Sequence, residues 1–412
     1  MANSLLVIGG GAAGFFCAVN AARMDRSLKV TLLEKSSKLL SKVRISGGGR
    51  CNVTHACFQP GMLVKKYPRG EKFLLKAFRH FGPEDTIGWF RDRQVELKTE
   101  ADGRMFPVTD DSGTIIQCLL READRWGVEI RMQEEVKQLE MDGGRWKVRT
   151  SREVLQADAV CVATGGFTKK EHFGWLEAVG HTALAPVPSL FTFNLPGHPI
   201  TQLMGVVKPE ARVKLTGSKL EETGPVLITH WGLSGPAVLR LSAWGARELA
   251  LKQWHFRIVV NWTPEYHENS LLEYLRKFRE GKGAQKIANR NPVNMPQRLW
   301  DYFLGLAGAD SDLRWADLPA KKLNLLCKLL TSQEMEVSGK TTFKEEFVTA
   351  GGINLAEIDP ETMESRLCEG LYFAGEIMDV DGITGGFNFQ HAWTSGMLAA
   401  MAVSAGQEGV KK

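Results

Sequence analysis

The sequence predicts an α/β chain in which a Rossmann-type dinucleotide-binding domain is interrupted by a small β domain, and three observations carry that reading. The string SLLVIGGGAAGF, residues 4 to 15, runs a buried apolar strand straight into a glycine turn that opens a helix. The strand Lys29 to Leu33 follows and ends at Glu34, 20 residues past Gly14, where a carboxylate can accept both hydroxyls of an adenosine ribose. From about Ser189 the texture changes to short alternating runs, and near Val348 the glycine-rich, buried texture returns.

Taken in order, Gly9, Gly11 and Gly14 keep the G-x-G-x-x-G spacing, and each is expected to stand where a Cβ would collide. The helix starting near Gly11 aims unpaired NH groups and its positive end at phosphates. Phe73, Leu74, Ala77, Phe78 and Phe81 fall on one helical face that Gly82-Pro83 stops. A second amphipathic helix, about Gly113 to Trp126, feeds the strand Val128 to Met132, third of the parallel sheet. Val136 to Glu140, Trp146 to Thr150 and Glu153 to Gln156 read as an antiparallel meander returning into the buried strand Ala159 to Ala163.

Prolines at 186, 188, 196 and 199 and alternating runs around Arg212 to Leu215 and Phe256 to Val260 mark the inserted β domain. Pro264 to Leu330 is helical by pattern, and Glu334 to Ser338 reads as the strand that closes the domain. The boundaries are 1–189 and 343–412 for the nucleotide domain, 190–263 and 331–342 for the β domain, and 264–330 for its helical insertion.

Composition is that of an ordinary globular chain of 412 residues: 43% hydrophobic, 24% charged and a net charge of +5. So mild an excess does not imply a nucleic-acid partner. Seven cysteines without a C-x-x-C pair argue against a disulfide framework or zinc ribbon and fit a reducing cytoplasm, and no metal site is expected. With no basic leader and no apolar run near ~20 residues, neither a signal peptide nor a membrane span is predicted, so the expected location is cytoplasmic.

Two further segments belong beside the first glycine turn. Ala163-Thr164-Gly165-Gly166 leaves a buried strand, and Leu371 to Glu376 is another apolar strand ending in glycine and a carboxylate. A nicotinamide dehydrogenase needs only the first motif, whereas an extended FAD needs a long groove, so the three together favour noncovalent FAD.

GGGAAG at Gly9 to Gly14, KVRISGGGRCN at Lys42 to Asn52, LITHWGLSGP at Leu227 to Pro236 and AGEIMDVDGITGGFNFQHAWTSG at Ala374 to Gly396 are long and unusual. In this combination the chain resembles, over essentially its whole length, the bacterial flavoproteins of the aminoacetone oxidase or BaiN/RdsA-like family. The resemblance implies a glutathione reductase-like FAD domain with an inserted β-barrel that itself carries a helical subdomain. It further implies that Gly9, Gly11, Ala13 and Gly14 hold the pyrophosphate, Glu34 with Lys35 beside it the ribose, and the Val136 backbone the adenine. Arg44, Ser46, Gly48, Arg50 and Asn52 would line FAD, the two arginines supplying positive charge. Thr164, Gly165, Gly375 and Glu376 would meet the ribityl and phosphate region, and Asp381, Gly385, Gly386 and Asn388 the flavin ring. His391 departs from the pattern, which often has an aromatic after the glutamine, and reads as a core histidine or a local modifier of the flavin.

No second G-x-G-x-x-G appears, so any NAD(P)H must bind transiently. The expected reaction is hydride transfer between a small organic substrate and flavin N5, with NAD(P)H or oxygen as the other partner. Alternatives are an FAD-dependent tRNA-modifying enzyme and a flavin-binding protein without turnover. His230, in a loop opening a helix at Pro236, is the candidate proton carrier, because an imidazole gives and takes protons near neutral pH. The six basic residues between Arg276 and Arg290 read as a solvated helix face.

Overall fold

The computed structural model describes residues 2–341 and 348–405, and the chain divides into two compact units, Met1–Ser189 with Lys344–Lys412, and Leu190–Phe343. The first is built on a five-stranded parallel sheet in the order Leu371–Phe373, Ala159–Val162, Ser4–Ile8, Lys29–Glu34, Glu129–Met132. Strands covered on both faces read as continuous apolar runs, and Leu5 to Ile8 and Ala159 to Val162 are buried without a break. The helix Ala12–Met24 packs on the last helix, Phe387–Ala405, so closely that a Cβ on Gly396 would lie 2.6 Å from the Ala13 carbonyl oxygen. Phe16 anchors that contact, with ring centroids 4.6 Å from Trp89 and 5.2 Å from Trp393.

The helix expected over Phe73 to Phe81 spans Glu71–Ala77, and a new helix, Pro83–Arg91, follows it. Arg79 and His80 donate to carbonyls three residues back, Lys76 and Ala77, which unwinds the turn ahead of the proline. The second amphipathic helix is Ser112–Arg125, capped by the Asp111 carboxylate accepting from Gly113 N at 2.8 Å. The meander forms as Val136–Asp142, Arg145–Thr150 and Val154–Ala157.

The second unit holds a seven-stranded sheet in the order Gln333–Ser338, His255–Asn261, Val207–Leu215, Glu221–Ile228, Gly232–Ser234, Thr192–Asn194, Lys340–Thr341. Its first and last strands are separated only by Gly339, so they are the two halves of one bent strand and the sheet closes on itself as a barrel. Gly339 hydrogen-bonds to both sides: its N–H donates to Trp254 O at 2.9 Å, and its carbonyl accepts from Asn194 N at 3.3 Å. The helices Glu268–Lys282, Gln297–Leu306 and Ala320–Thr331 share one apolar core with the barrel, in which Val213 and Ile258 join Trp262, Trp300 and Trp315. Among the described residues no helix is long and apolar enough to cross a membrane.

Candidate cofactor and substrate site

The first glycine turn is built from the end of the first strand. Gly9 donates to Leu33 O at 2.8 Å, and a Cβ on Gly9 would lie 2.3 Å from Ala163 O. A Cβ on Gly14 would lie 1.9 Å from Gly9 O. Gly11 departs from the expectation of a collision, since no protein atom lies within 4 Å of a Cβ built there. The space it keeps open sits at a helix start without a side-chain cap, where the first N–H groups have no helical acceptor. Gly165 opens onto similar room, and Gly375 comes so near that its Cβ would lie 2.9 Å from that of Ala13. Three segments distant in sequence therefore form one anion cradle, which fits the pyrophosphate of a dinucleotide.

The Glu34 carboxylate accepts from Gly10 N and from Ser36 N, each at 2.8 Å. One bond to each oxygen leaves a lone pair on both for vicinal hydroxyls. The Glu34 carbonyl accepts from Glu134 N at 2.9 Å, which ties the start of the Val136 strand to the same end of the groove. Lys35, the next residue, is exposed.

Beyond the cradle, several predicted ligands turn out to be committed to the protein itself. The helix Ser41–Gly49 breaks at Ser46, Gly47 and Gly48; Gly48 has open space around it, and Arg44 is exposed. Arg50, expected to supply charge to FAD, pairs with Glu100 at 2.6 Å and Asp110 at 3.4 Å over the face of Phe106. Asn52 acts through its neighbour. With its amide oxygen accepting from Gly386 N at 2.9 Å, its nitrogen donates to Thr54 O and Met105 O. Asn388 likewise spends both amide ends on Gly382, at 2.8 and 2.9 Å. Asp381 is fully buried and held by the Arg69 guanidinium and the Ser189 hydroxyl. Asn52, Asp381 and Asn388 thus clamp the backbone around Gly385 and Gly386. The Gly386 N–H is taken, so the donors left at the start of the last helix are those of its first turn.

Glu376 accepts from Thr349 N at 2.8 Å and pairs with Lys42 at 2.6 Å. Thr164 donates to the Gly165 carbonyl at 3.3 Å. His391 Nε2 lies 3.1 Å from Gly375 O while its Nδ1 is buried without a partner; burial pushes the imidazole down to about 4, so it is neutral with its proton on Nε2. Arg69, Ser189, Lys42 and Thr349 were not legible as site residues, because each acts across more than a hundred residues of sequence or through its backbone. His55, whose ring stacks on Phe387 at 4.7 Å beside Gly385, was also missed.

His230 lies in the second unit. The residues after it form a short strand, Gly232–Ser234, rather than the expected loop, so His230 and Trp231 occupy the tip of a tight hairpin closed by Thr229 N donating to Gly232 O at 2.8 Å. Elsewhere, Ser365, His181 and Glu357 have the spacing of a hydrolytic triad, 3.0 Å and 3.2 Å. The Ser365 oxygen, however, is buried and accepts from Leu367 N and Cys368 N, so it caps a turn and is no nucleophile.

Fold and site together define an FAD-dependent oxidoreductase with a Rossmann-type cofactor domain. The chain matches, over residues 3–402, the family described as HI0933-like protein Rossmann domain, and it belongs to that family. It is 27% identical over 410 residues, 98% of this chain and 99% of the other, to a 3-dehydro-bile acid delta(4,6)-reductase of Clostridium scindens. It is 30% identical over 410 residues, 97% and 98% of the two chains, to a ribosomal RNA dihydrouridine synthase of Escherichia coli. Among solved structures, a 3-ketosteroid delta1-dehydrogenase from Sterolibacterium denitrificans shares the fold, with TM-score 0.51 at 12% identity over 98% of this chain and 100% of that one. Quinol fumarate reductase FrdA of E. coli does so with TM-score 0.50 at 17% identity, over 100% and 71%.

Proposed function

We propose that this protein reduces a carbon–carbon double bond conjugated to a carbonyl, drawing the hydride from FAD. The observation that carries this is chemical: the two relatives, each similar across nearly the whole chain, are named for saturating such a bond in unlike molecules, a keto-steroid acid and a uridine. A shared framework acting on both points to the bond as the common element. Once bound and reduced by two electrons from NAD(P)H, FAD would supply hydride from N5.

In this reading Gly9, Gly11, Ala13 and Gly14 receive the pyrophosphate, with Gly48, Thr164, Gly165 and Gly375 closing the cradle. Glu34, Lys35 and Val136 take the adenosine end. Arg44 and Ser46 line the groove, and Glu376, fixed by Lys42, faces the ribityl chain. Asn52, Asp381 and Asn388 hold Gly385 and Gly386 in place so that the last helix presents its positive end to the charge that develops on a reduced ring. Hydride adds to the carbon remote from the carbonyl, so a proton must reach the adjacent carbon, and His230 is assigned that proton.

A second reading places the reacting ring in RNA, where the named precedent is ribosomal rather than transfer RNA. It is favoured by the relative named for a ribosomal RNA substrate, which is 30% identical over nearly the whole chain. Incubation with NADPH deuterated at its transferring position, then mass spectrometry of progesterone and of a uridine-containing RNA, tests both readings. The proposal expects a gain of one deuterium and one solvent hydrogen in one of them. Loss of RNA turnover as salt rises would support the second, and unlabelled, unreduced products in both would refute the reduction.

A further inference from the structure

His55 is a titratable residue at the glycine loop of the first unit that the reaction above leaves unused. It ends the short strand Thr54–His55, which pairs with Arg104–Pro107 so that His55 stands opposite Arg104. Its ring stacks on Phe387, with centroids 4.7 Å apart and planes 21° from parallel, and a Cβ on Gly385 would lie 3.6 Å from its Cδ2. Gly103, with φ of +86°, makes room for the ring, since a Cβ there would lie 2.4 Å from Cε1. The imidazole is therefore fixed against the turn at Gly385 and Gly386 that opens the last helix.

Its two nitrogens are unlike. Nε2 lies 3.1 Å from the Asp102 carbonyl oxygen, which can only accept, so the proton of the neutral ring sits on Nε2. Nδ1 is buried without a partner, and it is the atom at which the ring can take a second proton. Burial pushes the imidazole below the usual histidine range, against the bond to Asp102, so the ring is neutral at pH 7. The charged groups facing it are Lys66, Asp102 and Arg104. Arg104 pairs with Asp102 at 2.7 Å, so those two offset each other, and Lys66 opposes a charged ring. Cys57, two residues on, and Tyr67, which donates to Phe387 O at 2.7 Å, are both kept protonated by burial. Phe387 to Gln390, the first turn of the last helix, brings no titratable side chain, and Asp381 at the far end of the loop is paired with Arg69. Among the described residues no surplus anion therefore faces His55, and a negative charge arriving at the glycine turn would be the first.

We propose that His55 takes up one proton when the flavin is reduced and releases it when hydride leaves, so that the site stays electrically balanced through the cycle. This rests on the reading above that puts the flavin ring at Gly385 and Gly386, and it adds a titrating counter-charge to that ring. Hydride from NAD(P)H brings two electrons and one proton to N5, which leaves one negative charge spread over N1 and C2=O. His55 Nδ1 takes one proton from water and the ring becomes an imidazolium. Loss of the hydride to the acceptor removes the negative charge, and the proton returns to water. The driving force is the attraction of a nearby anion for the charged form of an imidazole, the same effect that raises histidines beside carboxylates. His55 and His230 thus have separate tasks, since the His55 proton never reaches the substrate.

The test is a spectroscopic titration of the FAD-loaded protein with dithionite, without oxygen or substrate, at pH values from about 6 to 8. Wild type is compared with His55→Gln, which keeps an N–H donor for the Asp102 carbonyl, and with His55→Phe, which keeps a ring on Phe387. One extra proton per two electrons changes the reduction equilibrium tenfold per pH unit, or about 30 mV. The midpoint potential of wild type should therefore fall with rising pH more steeply than that of either variant, by up to about 30 mV per pH unit. A merely structural role would shift a variant's potentials together and leave the slope alone. Equal slopes in the three proteins, or a shallower slope in only one variant, overturn the proposal. Because no substrate is present, double-bond reduction is judged separately. A slope that depends on His55 in a protein that reduces no conjugated double bond would leave the proton uptake standing and refute the reaction, whereas a wild type that holds no FAD would refute both.

Discussion

At the scale of single residues, the glycines of the first turn separate folding from cofactor binding. Gly11 borders space that no protein atom fills, so the purified Gly11→Val protein should lose its yellow colour and keep the unfolding temperature of flavin-free wild type. Gly14 is the opposite case: its Cβ would overlap the Gly9 carbonyl, and Gly14→Ala should lower stability whether or not flavin is present. Absorbance and thermal unfolding of the two variants, side by side, check this; a Gly11→Val protein that stays yellow would move the pyrophosphate elsewhere. His391 gives a pH dependence with a definite sign. Burial, against weaker upward pulls from the hydrogen bond to the Gly375 carbonyl and from Glu376, holds it at about 4 in the folded chain, whereas an unfolded histidine titrates near 6.5. The unfolded state therefore binds more protons between those values, and stability is complete above about 6.5 and falls as pH drops toward 4. The loss attributable to His391 should reach about 3 kcal/mol. Denaturant unfolding at pH 7 and pH 4.5 should show a smaller difference for His391→Phe than for wild type.

At the scale of elements, the connection from Asp381 to Asn388 shows how a glycine loop is made rigid. One end is held by Arg69 and Ser189, the middle by the Asn388 amide on Gly382, and the far end by Asn52 on Gly386. Removing the cation strands a buried carboxylate, so Arg69→Met should cost about 3 to 5 kcal/mol, and Arg69→Met with Asp381→Leu should recover a large part of it. A double variant no more stable than the single one would deny the pair this role. The strands and helices of both units were legible because burial imposes periods of two and 3.6 on the sequence. The first glycine turn was legible because backbone approach dictates glycine. The clamps were not, since Arg69 and Asp381 lie 312 residues apart and nothing in either local string encodes the partner. The ion pairs of Arg50 and Asp381 were hidden for the same reason: a sequence shows a charge, and only the fold shows its partner.

At the scale of the whole molecule, the second unit depends on one bend. Gly339 has φ of +97°, a conformation that costs a residue with a side chain roughly 1 to 2 kcal/mol. It joins the two halves of the strand that closes the barrel. The nearest atom to a Cβ there is 3.6 Å away, so space is not the constraint. Gly339→Ala should therefore lower stability by about 1 kcal/mol and Gly339→Val by more, as read by denaturant unfolding. Equal stability in all three would mean that the strand does not need its kink. The closing pattern was visible in the alternation of Glu334 to Ser338, whereas the sharing of one core by the barrel and the helical insertion was not, because apolar helix faces do not announce their partner.

In the proposed reaction the flavin delivers hydride to a double bond conjugated with a carbonyl, and His230 supplies the proton. Anaerobic stopped-flow spectroscopy of the flavin tests it most directly: the protein is reduced with NADPH and then mixed, without oxygen, with progesterone or a uridine-containing RNA. The oxidised flavin spectrum should return with one of the two, slowed about 100-fold or more in His230→Ala, with flavin content unchanged. A flavin that stays reduced with both, yet is reoxidised at once by oxygen, would contradict it and identify an oxidase instead.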